Sequence, residues 1–321
     1  MTTLRRRTAL PVATPFLLTT ILFFVMAILS LAGCAGGGRL AFDPAVQDPA
    51  FDAADPPLIW DGAFEVEGAR LNAIIYEAQG PGPHPTLLLL HGFPGNERNL
   101  DLGQAARRAG WNVVFFHYRG SWGSGGVFTF VHVVEDVLSV VEQISEPAFA
   151  KAHRIDPDRL ALVGHSMGGF ASLIAGAESA SVDCVASLAG ANLGGFAMAA
   201  AISPEQRDGM VTLLDSWSGP IRGASGQVLV SEVLENADRF NTMMRATDLA
   251  PKTLLLIAGK RDDVTEVTLH HDPLVEVLKA AGAERLQSHV YEEGDHSFSG
   301  QRIQLATRLV AWLESDCRSG R

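Results

Sequence analysis

The sequence predicts an α/β domain: a mostly parallel central sheet flanked by helices, with a helical cap inserted late in the chain. Three observations carry this. Apolar runs of strand length recur between residues 86 and 291, stretches with apolar residues at helical spacing lie between them, and the interval 191–250 is too long for a plain strand-to-helix loop. The composition agrees. A chain of 321 residues that is 47% hydrophobic and 19% charged, with 32 Gly and 16 Pro, suits one large core and excludes disordered, collagen-like and multi-span membrane classes.

The amino terminus reads as an address. Arg5, Arg6 and Arg7 precede an uncharged stretch, Thr8 to Gly38, whose centre is apolar enough to enter a bilayer. It contains Leu31-Ala32-Gly33-Cys34, which resembles the lipobox of bacterial lipoproteins, so residues 1–33 are expected to be a signal peptide and Cys34 the lipidated first residue. This implies export and a membrane partner reached through lipid. Residues 34–57, with Gly36, Gly37, Gly38 and four prolines, read as a flexible tether, and the folded domain is expected over 58–321.

Within the domain, Glu65-Val66 and Leu71–Tyr76 suggest a short antiparallel start. Strands are expected at Thr86–Leu90, Val113–His117, Leu160–Val163, Cys184–Leu188, Leu254–Ile257 and Leu286–Tyr291, most of them apolar on both faces. Helices are expected from Leu102-Ala105-Ala106-Ala109, Val131-Val134-Val137-Leu138-Val141, Leu274-Val277-Leu278-Ala281 and Ile303-Ala306-Val310-Leu313. The cap carries a further amphipathic pattern, Val230-Val233-Leu234-Ala237. Its Phe196, Met198, Trp217, Phe240 and Met243 are expected either to shape an apolar pocket or to form the cap's own core.

A net charge of −11, with no basic run beyond the first seven residues, excludes nucleic acid as a partner. The three cysteines lack zinc spacing, and Cys184 and Cys317 are expected to be unbonded. His270-His271-Asp272 is expected to be a solvated helix start rather than a metal site, because adjacent histidines point apart.

The chemistry lies where Leu160–Val163 runs into Gly164-His165-Ser166-Met167-Gly168-Gly169 and helical residues follow, a G-x-S-x-G on a strand–turn–helix. A serine at such a turn projects its hydroxyl above the sheet, and the glycines allow backbone to pass close by.

With these residues in place, roughly residues 60–315 resemble the α/β-hydrolase fold family, in its dienelactone-hydrolase-like and prolyl-oligopeptidase-like branches. The family's chain order of serine, acid and histidine implies Ser166, then Asp262 after Leu254–Gly259, then His296 in Gly294-Asp295-His296. Asp263 is an adjacent rival for the acid; the family spacing favours Asp262. His91-Gly92-Phe93-Pro94-Gly95 resembles the family's oxyanion loop, which implies oxyanion donors at the backbone N–H groups of Phe93 and Met167. His91 then orders the loop. Phe93 and Trp122, the latter in the glycine-rich stretch after Val113–His117, are the expected substrate contacts.

The resemblance implies a serine hydrolase acting on a small-molecule ester, with no cofactor and no metal. A serine peptidase and a non-catalytic binding lipoprotein on the same scaffold are the alternatives.

Overall fold

The computed structural model describes residues 42–216 and 219–318. The signal peptide, the lipidation position Cys34, the tether up to residue 41 and the cap residue Trp217 lie outside the described residues. Residues 43–56 contain no helix or strand, as their composition predicts. They do not behave as a free tether, however: Gln79 Nε2 donates to the Ala50 carbonyl (2.8 Å), Arg108 Nε to Pro44 (2.6 Å) and Arg154 to Pro56 (3.2 Å).

Eight strands form one sheet: β1 (Leu58–Val66), β2 (Ala69–Glu77), β3 (His84–Leu90), β4 (Asn112–Phe116), β5 (Ile155–His165), β6 (Cys184–Leu188), β7 (Thr253–Gly259) and β8 (Leu286–Tyr291). Their order across the sheet is β1-β2-β4-β3-β5-β6-β7-β8. β2 pairs antiparallel with both β1 and β4, and every pairing from β4 to β8 is parallel. The parallel part needs a crossover at each step, and helices supply them.

Those helices are α1 (Leu100–Arg108), α2 (Phe130–Ser145), α3 (Pro147–Ala152), α4 (Met167–Glu178), α9 (Asp272–Ala280) and α10 (Arg302–Trp312). The cap holds α5 (Leu193–Ile202), α6 (Pro204–Ser216), α7 (Gly226–Glu235) and α8 (Ala246–Leu249). The two-residue period of β3 divides the core. Leu88 and Leu90 join a cluster with Val134, Val137, Phe170 and Ile174 of α2 and α4, while Leu87 and Leu89 join one with Leu102, Leu305 and Leu309 of α1 and α10. Sandwiched this way, the central strands are buried on both faces, which is why they read as unbroken apolar runs.

Local signals set several ends. Thr129 caps α2 by accepting the His132 N–H (3.0 Å), and α1 has Asp101 in its first turn and Arg107 and Arg108 in its last, as the helix dipole favours. α4 is apolar all round and buried from Met167 to Gly176, so period alone does not fix which face meets the sheet.

The expectation that Cys184 and Cys317 are unbonded is corrected: they form a disulfide, with Cα atoms 6.0 Å apart across 133 residues of sequence. Cys184 opens β6, and the turn Leu313–Cys317 beyond α10 packs beside that strand's start. Only the strand order brings these ends together, and local spacing carries no trace of it.

After β4 the chain turns at Arg119, whose side chain is almost wholly buried and meets Asp136 (2.5 Å), Glu67 (2.6 Å) and Glu135 (2.7 Å). The Arg119 N–H also donates to Asp136 (2.7 Å), so this cluster fixes the loop that carries Trp122. Arg119→Met is expected to cost about 3–5 kcal/mol of stability, because Asp136 is left buried and uncompensated. Urea unfolding measures this, and adding Asp136→Leu should recover most of the loss. A cost under about 1 kcal/mol for the single variant would refute the account.

Candidate active site

β5 ends at His165 and α4 begins at Met167, leaving Ser166 alone in the turn with φ 58° and ψ −118°, a conformation that costs about 1–3 kcal/mol for a residue with a β-carbon. The surroundings hold it there. Its N–H donates to the Leu188 carbonyl (2.9 Å), and its own carbonyl accepts from Phe170 (3.0 Å) and Ala191 (3.1 Å). A β-carbon on Gly164 would strike the carbonyl of Gly168, and one on Gly168 would strike that of Leu90, so both positions require glycine.

His296, in the loop after β8, sets Nε2 3.0 Å from Ser166 Oγ and Nδ1 2.8 Å from Asp262 Oδ2. The carboxylate partner assigns the ring proton to Nδ1, leaving Nε2 free to accept from the serine hydroxyl. Asp262 follows β7 and is 4% exposed. It accepts the N–H groups of Val264 (2.8 Å) and Thr265 (2.9 Å), and Thr265 Oγ1 lies 2.7 Å from its other oxygen. Burial pushes its pKa up, but the hydrogen bonds from His296 and Thr265 outweigh that and hold it at about 2. Asp263 is exposed.

A folded pKa below the unfolded value of about 3.9 means that the stability from ionised Asp262 is complete above that pH and is lost as pH falls towards 2. Thermal melts between pH 5 and 2 are therefore expected to show a shallower acid loss in Asp262→Asn than in the wild type. Parallel curves would contradict this.

The loop after β3 runs past the serine so closely that a β-carbon on Gly92 would sit 3.0 Å from Ser166 Cβ. This places Phe93 next in line, with its ring half-buried against Phe128 (5.5 Å) and Phe130 (6.3 Å). Met167 is the first residue of α4, where N–H groups have no acceptor within the helix. His91 is buried, with its pKa lowered by desolvation to about 4. Its Nδ1–H donates to the Gly92 carbonyl (2.8 Å), and Nε2 accepts from His117 Nδ1 (3.2 Å). Trp122 stacks on His117 (5.9 Å between centroids, 26° between planes) and donates from Nε1 to the Pro94 carbonyl (2.7 Å), so it braces this loop from outside.

Sequence reasoning missed three supporting groups. His165 is buried, its pKa lowered by desolvation to about 4, and its Nε2 donates to the carbonyl of His296 (2.7 Å), fixing the backbone that carries the imidazole. Its only signal is its place between Gly164 and Ser166. Thr265 had a signal in its position three residues after Asp262, the spacing at which an aspartate meets following backbone N–H groups. His270 is a correction. It and His271 are buried rather than solvated; His270 Nδ1 accepts the N–H of Asn192 (3.0 Å) and its pKa falls to about 4 by desolvation, while His271 meets Ser288 Oγ (2.9 Å). Among the described residues no group of three or more His, Cys, Asp or Glu is arranged to hold a metal ion.

The cap residues divide. Phe240 is buried against Phe170 (5.2 Å), Met243 is partly buried against the same core, and Met198 is 63% exposed, so none of these forms a pocket wall as a set. Phe196 packs on His270 (4.8 Å), on the side of the sheet where the Ser166 turn lies.

A family model described as the alpha/beta hydrolase family matches residues 87–307. An uncharacterised 31.7 kDa protein of the traX-finO intergenic region of Escherichia coli is 34% identical over 115 residues, which is 34% of this chain and 38% of that protein. The chain therefore spans well under half the length of this curated relative. Among solved structures, 2,6-dihydroxy-pseudo-oxynicotine hydrolase is similar at a TM-score of 0.61 and 19% identity, covering 83% of this chain and 69% of its own. Est1E of Butyrivibrio proteoclasticus, solved with ferulic acid, has a TM-score of 0.60 at 18% identity over 80% of this chain and 99% of its own. Acylaminoacyl peptidase of Pyrococcus horikoshii has a TM-score of 0.60 at 18% identity over 82% of this chain and 42% of its own. At these identities the likeness speaks for the fold alone.

Proposed function

This chain belongs to the alpha/beta hydrolase family, and on that premise we propose that it is a serine hydrolase cleaving a carboxylic ester or related acyl bond through an acyl-enzyme on Ser166. The observation that carries the reading is the continuous relay from Ser166 Oγ to His296 Nε2 (3.0 Å) and from His296 Nδ1 to Asp262 (2.8 Å), with the serine held at positive φ. A serine hydroxyl is too weakly acidic to attack unaided.

As Oγ bonds to the carbonyl carbon, its proton passes to His296 Nε2 and negative charge collects on the substrate oxygen. The N–H groups of Phe93 and Met167 are the proposed donors to that oxygen. The leaving alkoxide then takes the proton from Nε2 as the C–O bond breaks. A water molecule gives its proton to the same nitrogen while it adds to the acyl-enzyme, and collapse returns the proton to Ser166 Oγ and frees the acid. Asp262 keeps the imidazole in the tautomer these steps need, and stabilises its cationic form. Phe93 and Trp122 are the proposed substrate contacts.

The chemistry runs on these residues without a cofactor. The same relay cleaves an amide when the departing amine is protonated in place, and the ester reading is favoured because the sequence offers no conspicuous acidic pair for a substrate amino terminus. The protein is proposed to be exported and anchored through lipid on Cys34. The Leu31–Cys34 pattern supports this, as does the Cys184–Cys317 disulfide, a bond that persists in oxidising compartments.

The test is covalent labelling of the full chain by a fluorophosphonate, followed by turnover of matched ester and anilide substrates. Labelling of the wild type that is absent from Ser166→Ala and His296→Ala, with the ester turned over faster than the anilide, is the expected result. An unlabelled, folded wild type would falsify the hydrolase reading; faster turnover of the anilide would replace the ester with a peptide bond.

A further inference from the structure

Phe93, the proposed oxyanion donor, and Pro94 after it are held by three residues. The Phe93 ring packs on Phe128 (5.5 Å between centroids) and Phe130 (6.3 Å), and the Pro94 carbonyl accepts from Trp122 Nε1 (2.7 Å). Each of these three turns its own backbone N–H to the cap. Trp122 donates to the Pro220 carbonyl (2.9 Å), Phe128 to the Arg222 carbonyl (3.1 Å) and Phe130 to Glu232 Oε2 (2.7 Å).

The residues account for this arrangement. Ile221 pairs with Ser121 as an antiparallel bridge, and Arg222 donates from its N–H to the Gly120 carbonyl (2.7 Å) and from Nη2 to that of Ser124 (2.7 Å). A β-carbon on Gly120, at φ +70°, would sit 2.2 Å from the Phe128 nitrogen and 2.7 Å from the Arg222 oxygen, so only glycine lets the cap segment approach. Trp122, at φ 48°, is kept in that conformation by the same pairing. At the start of α2 the first N–H groups have no acceptor within the helix. Thr129 takes that of His132, and Glu232 of α7 takes those of Phe130 and Val131 (3.2 Å), its charge facing the positive end of the helix dipole.

We propose that the cap segment 220–232 positions the oxyanion loop, with Glu232 as the positioning residue: its carboxylate fixes Phe130, whose ring fixes Phe93 and with it the Phe93 N–H. This rests on the serine-hydrolase reading and gives the cap a part in the rate of reaction, apart from any part in substrate choice. A donor aimed at a developing oxyanion must be closely placed, and a shift of about 1 Å can cost about 10²-fold. Acylation and deacylation both pass through an oxyanion, so a displaced donor lowers kcat and leaves KM in place.

The test compares Glu232→Ala, Glu232→Gln and Ser225→Ala in the full chain, with p-nitrophenyl acetate as substrate and trifluoroacetophenone as inhibitor. The inhibitor's carbonyl carbon bonds to Ser166 Oγ, the serine proton passes to His296, and the charged oxygen is left where that of the ester would form. Glu232→Ala is expected to lower kcat at least about tenfold with KM within about twofold, and to weaken the inhibitor by a similar factor. Glu232→Gln keeps one of the two acceptors and should lie between, at least about threefold below the wild type, so it decides the matter should the alanine variant fail to fold. Ser225 caps α7 by accepting the Val228 N–H (3.3 Å), so Ser225→Ala should lower the melting temperature as a lost cap does, with kcat within about twofold of the wild type. Wild-type turnover carries the hydrolase reading by itself. Wild-type kcat in Glu232→Gln, a loss in KM alone, or an equal fall in Ser225→Ala would each overturn the role of the cap and leave that reading standing.

Discussion

Replacing Ser166 with alanine is expected to lower kcat/KM for a small activated ester by about 10⁵–10⁶-fold, with the protein still folded. The magnitude follows from the number of steps that pass through one oxygen: attack, acyl-enzyme formation and release all require Oγ. His296→Ala should fall into the same range, since without Nε2 3.0 Å away the hydroxyl keeps its proton. The double variant should be little worse than either single one, because the two groups act as a unit and the residual rate comes from binding and oxyanion donors alone. Stability gives an opposite signal. Ser166 is held at φ 58°, so Ser166→Gly should relieve strain and melt at a higher temperature while losing the same activity. Steady-state kinetics and melting curves on the four variants decide the matter. If Ser166→Ala retained more than about a tenth of wild-type turnover, the assigned nucleophile would be wrong.

Breaking the Cys184–Cys317 bond is expected to cost about 2–5 kcal/mol, the upper figure being what chain entropy assigns to a loop of this size. The bond closes 133 residues, from the start of β6 to the turn beyond α10, and so restricts in the unfolded chain the segment that carries Asp262 and His296. Cys317→Ser and Cys184→Ala should give the same loss, and the double variant no more than either. Dithiothreitol should lower the melting temperature of the wild type and leave the variants unchanged. A reductant-insensitive wild type would sink the pairing.

The strands at Cys184–Leu188 and Leu286–Tyr291 are legible to the residue; the first is buried throughout, while the second, an edge strand with Gln287 and Ser288 exposed, is marked by the apolar residues near its two ends. β1 shows only two of its nine residues in the sequence pattern: Leu58 and Ile59 are exposed on an outer strand, so no apolar run announces it. α3, six residues long with one buried side chain, is too short for a periodic pattern to register.

Ser166, Asp262 and His296 were legible because each follows a strand and chain order sorts them. The groups that position them were not. His165 meets the His296 carbonyl across 131 residues and Cys184 meets Cys317 across 133, and contacts of that span are set by strand order rather than by neighbours in sequence. The contacts of residues 43–56 escape the sequence for a related reason: Pro and Gly exclude regular structure there, but they do not exclude hydrogen bonds to a surface that composition does not describe.

The span between Ser166 and His296 also has a consequence in time. A chain is made from its amino end, so Ser166 is synthesised well before His296, its proposed base, and Cys184 well before Cys317. Without His296 Nε2 beside it, Ser166 has only the weak acidity of an ordinary alcohol. On the proposed mechanism, a nascent chain that stops short of β8 is expected to be silent towards a fluorophosphonate, and reactivity to appear only once His296 stands beside Ser166.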